Sequence, residues 1–235
     1  MKKRSWITHN PISRTVSRTV RAGFTLLEMM VVIGIIGVLA AFLIPNIQDA
    51  LSQASVTAEK ANMREVYTWL TMYKNSNNQS WPTESGQKFI MKLWKSGLCE
   101  RSEKNAKRFF SAGESHTEYL AILGLAPEEI DVLEYLSDWD AIEPGYINYA
   151  GFDPQGDPSL RRKLKTASGQ VTILANATFA HRNDIVYMTA DGEPHSLNIQ
   201  ELLDEGVLTQ DDIDSGMVPV GLSSPIEALQ TVTND

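Results

Sequence analysis

Cysteine is almost absent. Cys99 is the single one in 235 residues, so no intrachain disulfide can form and the fold must be held by its core or by assembly. A lone cysteine of this kind reads as a small apolar residue rather than a reactive thiol. Histidine is scarce too: His9, His116, His181 and His195 show no metal-ligand spacing. No Gly-x-Ser-x-Gly, His-Glu-x-x-His, Cys-x-x-Cys, phosphate-loop or dinucleotide pattern occurs. The expectation is no enzyme, no catalytic residue, no metal and no cofactor. Lys/Arg clusters with interleaved aromatics are missing, and the net charge of −8 argues against nucleic acid as a partner. No internal repeat is present.

Acid is absent from one region. Residues 1–23 carry Lys2, Lys3, Arg4, Arg14, Arg18 and Arg21, six positive charges and no negative one, so the remainder of this −8 chain carries −14. A nearly unbroken apolar run follows over 24–44, with Glu28 as its one charge. At about 1.5 Å per residue the run reaches ~32 Å, close to the ~30 Å of a bilayer's hydrocarbon core. A basic head before such a run predicts a cytoplasmic N-terminus and a translocated acidic part.

A carboxylate inside hydrocarbon is penalised and calls for a reason. The run has three readings. A secretory signal peptide would be cut near Val38-Leu39-Ala40, although this run is longer than the usual signal core. In an ordinary signal anchor, Glu28 would simply reach back to the headgroups. The third reading comes from the residues Gly23-Phe24-Thr25-Leu26-Leu27-Glu28 followed by Met-Met-Val-Val-Ile-Gly-Ile-Ile-Gly-Val-Leu-Ala. This stretch resembles the N-terminal signature of type IV pilins and type II secretion pseudopilins, a likeness that covers roughly 18–75.

That resemblance implies a prepilin peptidase cutting after Gly23 and methylating Phe24. It implies a filament in which Glu28 meets the Phe24 amine of a neighbouring copy, since two opposite charges in a poorly hydrated interior attract strongly while each alone is penalised. It also implies inner-membrane assembly machinery as a partner and a single-pass protein with a periplasmic domain. Gly34 and Gly37 lie in the span, as ordinary membrane-helix glycines or as points of close helix packing or of local unwinding on extraction. Pro45 ends the apolar run, where a helix must kink or break, and matches a proline the family often has there. The lack of a disulfide pair favours the pseudopilus over the pilus. The alternative is a signal-anchored periplasmic binding or enzymatic domain that does not polymerise.

Beyond Pro45, Ile47, Leu51, Ala54, Ala58, Ala61, Val66, Leu70 and Tyr73 recur at near-helical spacing, with Gln48, Asp49, Gln53, Lys60 and Arg64 opposite. One helix over 24–75 is expected. Short helices are expected over 87–95 and 128–136, with Pro127 at a first turn, and solvated or ordered loops over 100–108 and 138–157. Strands are expected over 171–179, 185–189 and 195–199, with Asp191-Gly192 as a hairpin turn, and a helical turn over 201–205. The fold class is α+β: a long N-terminal helix packed on a small antiparallel sheet with short helices. The expected organisation is a leader over 1–23, a transmembrane segment over 24–44, an amphipathic continuation over 45–78, a globular domain over 79–205 and an acidic tail over 206–235 whose end is mobile.

His181, nine residues, then Asp191-Gly192 resembles the H-X9-DG segment of a group of prepilin-like proteins, as do Tyr149-Ala150-Gly151 and Trp81-Pro82-Thr83; no chemistry comes with that likeness. If 185–190 form a strand, His181 and Asp191 lie about 20 Å apart at its two ends and cannot share a metal or a proton, so turn-forming positions are the plain reading. The oxygen-rich stretches 153–157 and 211–214 lack the spacing of a calcium loop. Calcium enters only through relatives that use it.

Overall fold

A computed structural model describes residues 24–155, 157, 159–181 and 183–235, with the backbone alone at Pro45. The expected leader, with Gly23, lies outside the described residues. The chain forms two compact units, Met1–Asn46 and Ile47–Asp235.

Helix α1 runs unbroken over Leu26–Ser76. It passes through Pro45 without a break, as the expected single helix over 24–75 requires. The missing proline N–H leaves the Ala41 carbonyl without its ladder partner, and one residue on the Asn46 side chain donates to the Phe42 carbonyl at 2.8 Å. Among the described residues α1 is the one helix long and apolar enough to cross a membrane, with a window of mean hydropathy 2.7 and none of it buried.

In the second unit the buried stripe of α1 is Ser52, Val56, Glu59, Met63, Val66 and Leu70. Its steps of four and three follow the helical period. The first part of the expected stripe is offset, with Ile47, Leu51, Ala54, Ala58 and Ala61 all facing outward, whereas Val66 and Leu70 are buried as expected. The periodicity rule failed because two members of the true stripe, Ser52 and Glu59, are polar, and Asn62 is buried beside them.

The helices α2 (Gly86–Lys95), α3 (Glu103–Ala106), α4 (His116–Ile122) and α5 (Val132–Tyr135) follow. Ser115 opens α4 with a capping box to Glu118. The region 100–108 is not the expected loop, because Ala106 and Phe109 turn into the core. The expected helix over 128–136 splits into a 3-10 turn at Pro127–Glu129 and α5.

Strands β1 (Tyr149–Phe152), β2 (Thr172–Asn176), β3 (Asp184–Thr189), β4 (Pro194–Asn198) and β5 (Val232–Thr233) form one antiparallel sheet, ordered β4-β3-β2-β1-β5. Helix α6 (Leu160–Thr166) lies between β1 and β2, and α7 (Ile199–Asp204) and α8 (Gln210–Asp214) follow β4. β1 falls inside the expected loop 138–157. Its Ala150 and Gly151 carry no β-branched signal, yet Gly151 is needed: an added Cβ would stand 1.9 Å from the Gly86 carbonyl of α2.

Both sheet faces are covered, so β1 and β2 are buried at every position. One core joins Val186 and Met188 to α1 and α2 through Met63, Leu70, Phe89 and Trp94. The other joins Ile185 to Ile199, Leu208, Val218, Ile226, Leu229 and Val232. Residues 206–235 are therefore no mobile tail: they supply α8, β5 and half of the second core.

Candidate functional site

At the start of α1, Phe24 is 79% exposed. The Thr25 N–H and hydroxyl each donate to Glu28 Oε2 at 2.8 Å, and the Glu28 N–H donates to Thr25 Oγ1 at 3.2 Å. This is a reciprocal capping box. The sequence signal for it is the Thr-x-x-Glu pattern of Thr25 and Glu28, which gives the acid a partner in its own chain. The carboxylate instead satisfies helix-end donors and sits where the helix dipole favours negative charge. An added Cβ at Gly34 or Gly37 would meet nothing within 4 Å. Neither glycine serves packing within the chain, and the flanking apolar side chains are exposed.

The second group is in the globular unit. Glu59 is 0% exposed and His181 2%. Glu59 Oε2 accepts from the Ser111 hydroxyl at 2.5 Å and the Ala112 N–H at 2.6 Å, and faces His181 Nε2 at 3.2 Å. The Tyr149 hydroxyl donates to Oε1. On the other edge of the ring, His181 Nδ1 is 3.0 Å from Ser55 Oγ. The Ser55 hydroxyl also donates to the Ser52 carbonyl at 2.7 Å. With three other donors on Glu59 and Ser55 beside Nδ1, both members of the His181–Glu59 pair have hydrogen-bond partners at every polar atom.

Ser55, His181 and Glu59 thus have the outline of a nucleophile, a base and its orienting acid. With Ser55 donating to the Ser52 carbonyl, its hydroxyl is not aimed at the ring nitrogen. Burial, then the Glu59 charge, pushes the Tyr149 phenol well above its ordinary range. Asn62 and Arg108 close the cluster, with Arg108 donating to Asn62 Oδ1 at 2.5 Å.

The other end of the His181–Gly192 segment also docks on α1. Asp191 Oδ1 accepts from the Thr189 hydroxyl at 2.6 Å and the Glu193 N–H at 3.2 Å, which builds the β3–β4 turn. Gly192 has φ +93°, and an added Cβ would lie 2.6 Å from Tyr67 Cε1. The Tyr67 hydroxyl donates to the Ala190 carbonyl at 3.1 Å. His181 and Asp191 share no site. The plain reading nevertheless needs correcting: His181 is a buried residue hydrogen-bonded to Glu59, not merely a turn former. Both ends of β3 are fastened to α1, at Glu59 and at Tyr67, about 12 Å apart along the helix at ~1.5 Å per residue.

Among the described residues no group of three or more His, Cys, Asp and Glu side chains could hold a metal. In the calcium candidates, Asp153 accepts from Ser85 at 2.7 Å, Asp157 from Ser159 and Asp212 from Thr209.

Comparison with known proteins places these features. Residues 18–44 match the family described as the prokaryotic N-terminal methylation motif. Type II secretion system core protein G of Klebsiella pneumoniae is 41% identical over 139 residues, covering 58% of this chain and 86% of that protein. The protein of the same description from Pseudomonas aeruginosa is 36% identical over 77 residues, 33% of this chain and 54% of that one. The type IV wide pilus major component of Thermus thermophilus is 43% identical over 56 residues, 24% of this chain and 43% of its own. The chain spans about half the length of several curated relatives it matches. No solved structure matches it significantly.

Proposed function

This chain belongs to the family of type II secretion core protein G and the type IV pilins, and from that membership we propose that it is a structural subunit of a filament. In this reading a prepilin peptidase cuts between Gly23 and Phe24 and methylates the new Phe24 amine. The apolar part of α1 holds the subunit in the inner membrane, N-terminus cytoplasmic and acidic domain periplasmic, until assembly machinery transfers it to the polymer. The observation that carries the reading is the start of α1: exposed apolar side chains from Phe24 to Ile44 around one carboxylate. Such a surface has to be covered by lipid or by other copies of the helix.

Within the polymer, Glu28 receives the Phe24 amine of a neighbour in addition to its own cap, Gly34 and Gly37 leave room for close helix approach, and Pro45 removes one N–H from the helix ladder. The likeness covers 86% of the Klebsiella core protein G at 41% identity and 86% of a Neisseria meningitidis fimbrial protein at 27%, and the higher identity favours a secretion pseudopilus over a surface pilus.

The Glu28→Gln variant tests the charge alone, because glutamine also closes a capping box. Membrane insertion should be normal and filament yield should collapse; a normal yield overturns the role of Glu28. Mass spectrometry of the mature chain should find methylated Phe24 at its N-terminus. An intact leader in cells with the peptidase, or a start near Ala41, overturns the subunit reading in favour of an anchored domain.

A further inference from the structure

The sequence offers no basic–aromatic cluster, but the fold builds one. Lys74 in the last turn of α1 lies 4.3 Å from the Trp81 ring centroid. Arg161 and Lys165 of α6 line the same cavity of about 600 Å³ with Trp81, and no acidic side chain lines it. The acids nearby in sequence are committed elsewhere: Glu84 pairs with Lys92 at 2.5 Å, Asp153 is turned to Ser85 and Asp157 to Ser159. Among the described residues none of Lys74, Arg161 and Lys165 has a carboxylate within 4.0 Å. These three cations stand in a domain whose overall balance is strongly negative.

Elsewhere on the domain the opposite sign is concentrated. Residues 199–216, which hold α7 and α8, carry Glu201, Asp204, Glu205, Asp211, Asp212 and Asp214 and no base. All but Asp212 are exposed, and none is in an ion pair among the described residues. Two unneutralised patches of opposite sign on one chain complement each other between copies, and a head-to-tail contact of unlike patches generates an open helical array.

We infer that the Lys74–Trp81–Arg161–Lys165 cavity receives the acidic α7–α8 segment of a second copy of this chain. The inference rests on the filament reading and names one contact between its globular domains. Attraction of this kind orients incoming subunits and is screened by salt beyond about 8 Å at physiological ionic strength.

The test is a charge exchange in the full chain, expressed in cells that hold the assembly machinery. Arg161→Glu with Lys165→Glu should cut sheared-filament yield at least fivefold, as should Asp211→Lys with Asp214→Lys. All four substitutions in one chain should restore it to within twofold of wild type. Circular dichroism confirms that each variant is folded, and the restored chain guards against misfolding as the cause. Wild-type yield from both pair variants, or a four-fold variant as poor as the pairs, overturns the contact. Loss in the cavity variant alone also overturns it and points to a free anion or lipid headgroup. A wild-type chain that keeps its leader and forms no filament removes the subunit reading itself, a result distinct from filaments that ignore the exchange.

Discussion

Replacing Glu59 with glutamine perturbs the interior at its most connected point. The carboxylate accepts from Tyr149, Ser111, the Ala112 N–H and His181. A glutamine has one acceptor oxygen there, and its amide would oppose the Ala112 N–H 2.6 Å away or the donors on the other oxygen. It also leaves His181 Nε2 without its carboxylate partner. Removing one partner of a buried pair costs about 3–5 kcal/mol. In a domain of this size about 1 kcal/mol moves Tm by roughly 2–4 °C, so Tm should fall by about 6–20 °C. His181→Phe should cost a similar amount by stranding the carboxylate. The double variant should cost less than the sum, with a coupling of about 0.5–3 kcal/mol. Denaturant unfolding of the detergent-solubilised chain measures all three. Single losses under about 1 kcal/mol, or strict additivity, would refute the buried pair as a structural element.

Further outcomes follow from the same geometry. Gly192→Ala should destabilise by about 1–3 kcal/mol, from the left-handed backbone and the Tyr67 ring, whereas Gly97→Ala, at φ +70° with nothing within 4 Å, should cost only the backbone share; equal losses in chemical unfolding would contradict the Tyr67 contact. Burial pushes the Cys99 thiol up from 9.0 to about 11. Between those values the folded chain keeps a proton the unfolded chain has lost, so this contribution is whole below pH 9 and declines as pH rises towards 11; thiol labelling at pH 8 should be slow until denaturant is added. Asp191 is held below its usual range: burial opposes ionisation, but hydrogen bonds from Thr189 and Glu193 outweigh it. Its contribution is present above the unfolded value near 3.8 and lost as pH falls through the folded one, and Thr189→Val should reduce that acid-side loss in a pH series of melts. Thr25→Val should leave the second unit's melting unchanged while fraying the first turn of α1, read by amide exchange.

The long helix, the β2–β4 meander and its Asp-Gly turn were legible because each rests on local signals: an apolar run, alternation, and a residue pair suited to positive φ. The buried stripe of α1 was not. A rule that buries apolar side chains places Leu51 and Ala58 inward and Glu59 outward, and the reverse is true because Glu59 finds its partner His181 across 122 residues. No local pattern announces such a pair. β1 hid behind Ala150, which packs in the second core, and Gly151, which is small because α2 presses on it. The C-terminal segment read as a tail because Leu208, Val218, Ile226, Leu229 and Val232 are scattered singly among polar residues, and only the back of the sheet gathers them.

The margins of the sheet carry a consequence for how copies can add to one another. β4 opens on Pro194 and is tied by Ser196 to Lys60 at 3.0 Å, while β5 is just two residues long. Neither presents a flat, unpaired ladder to a stranger, which is how natural proteins discourage cross-β stacking. Domains crowded together are thereby denied edge-to-edge strand addition, a mode of growth that is hard to undo.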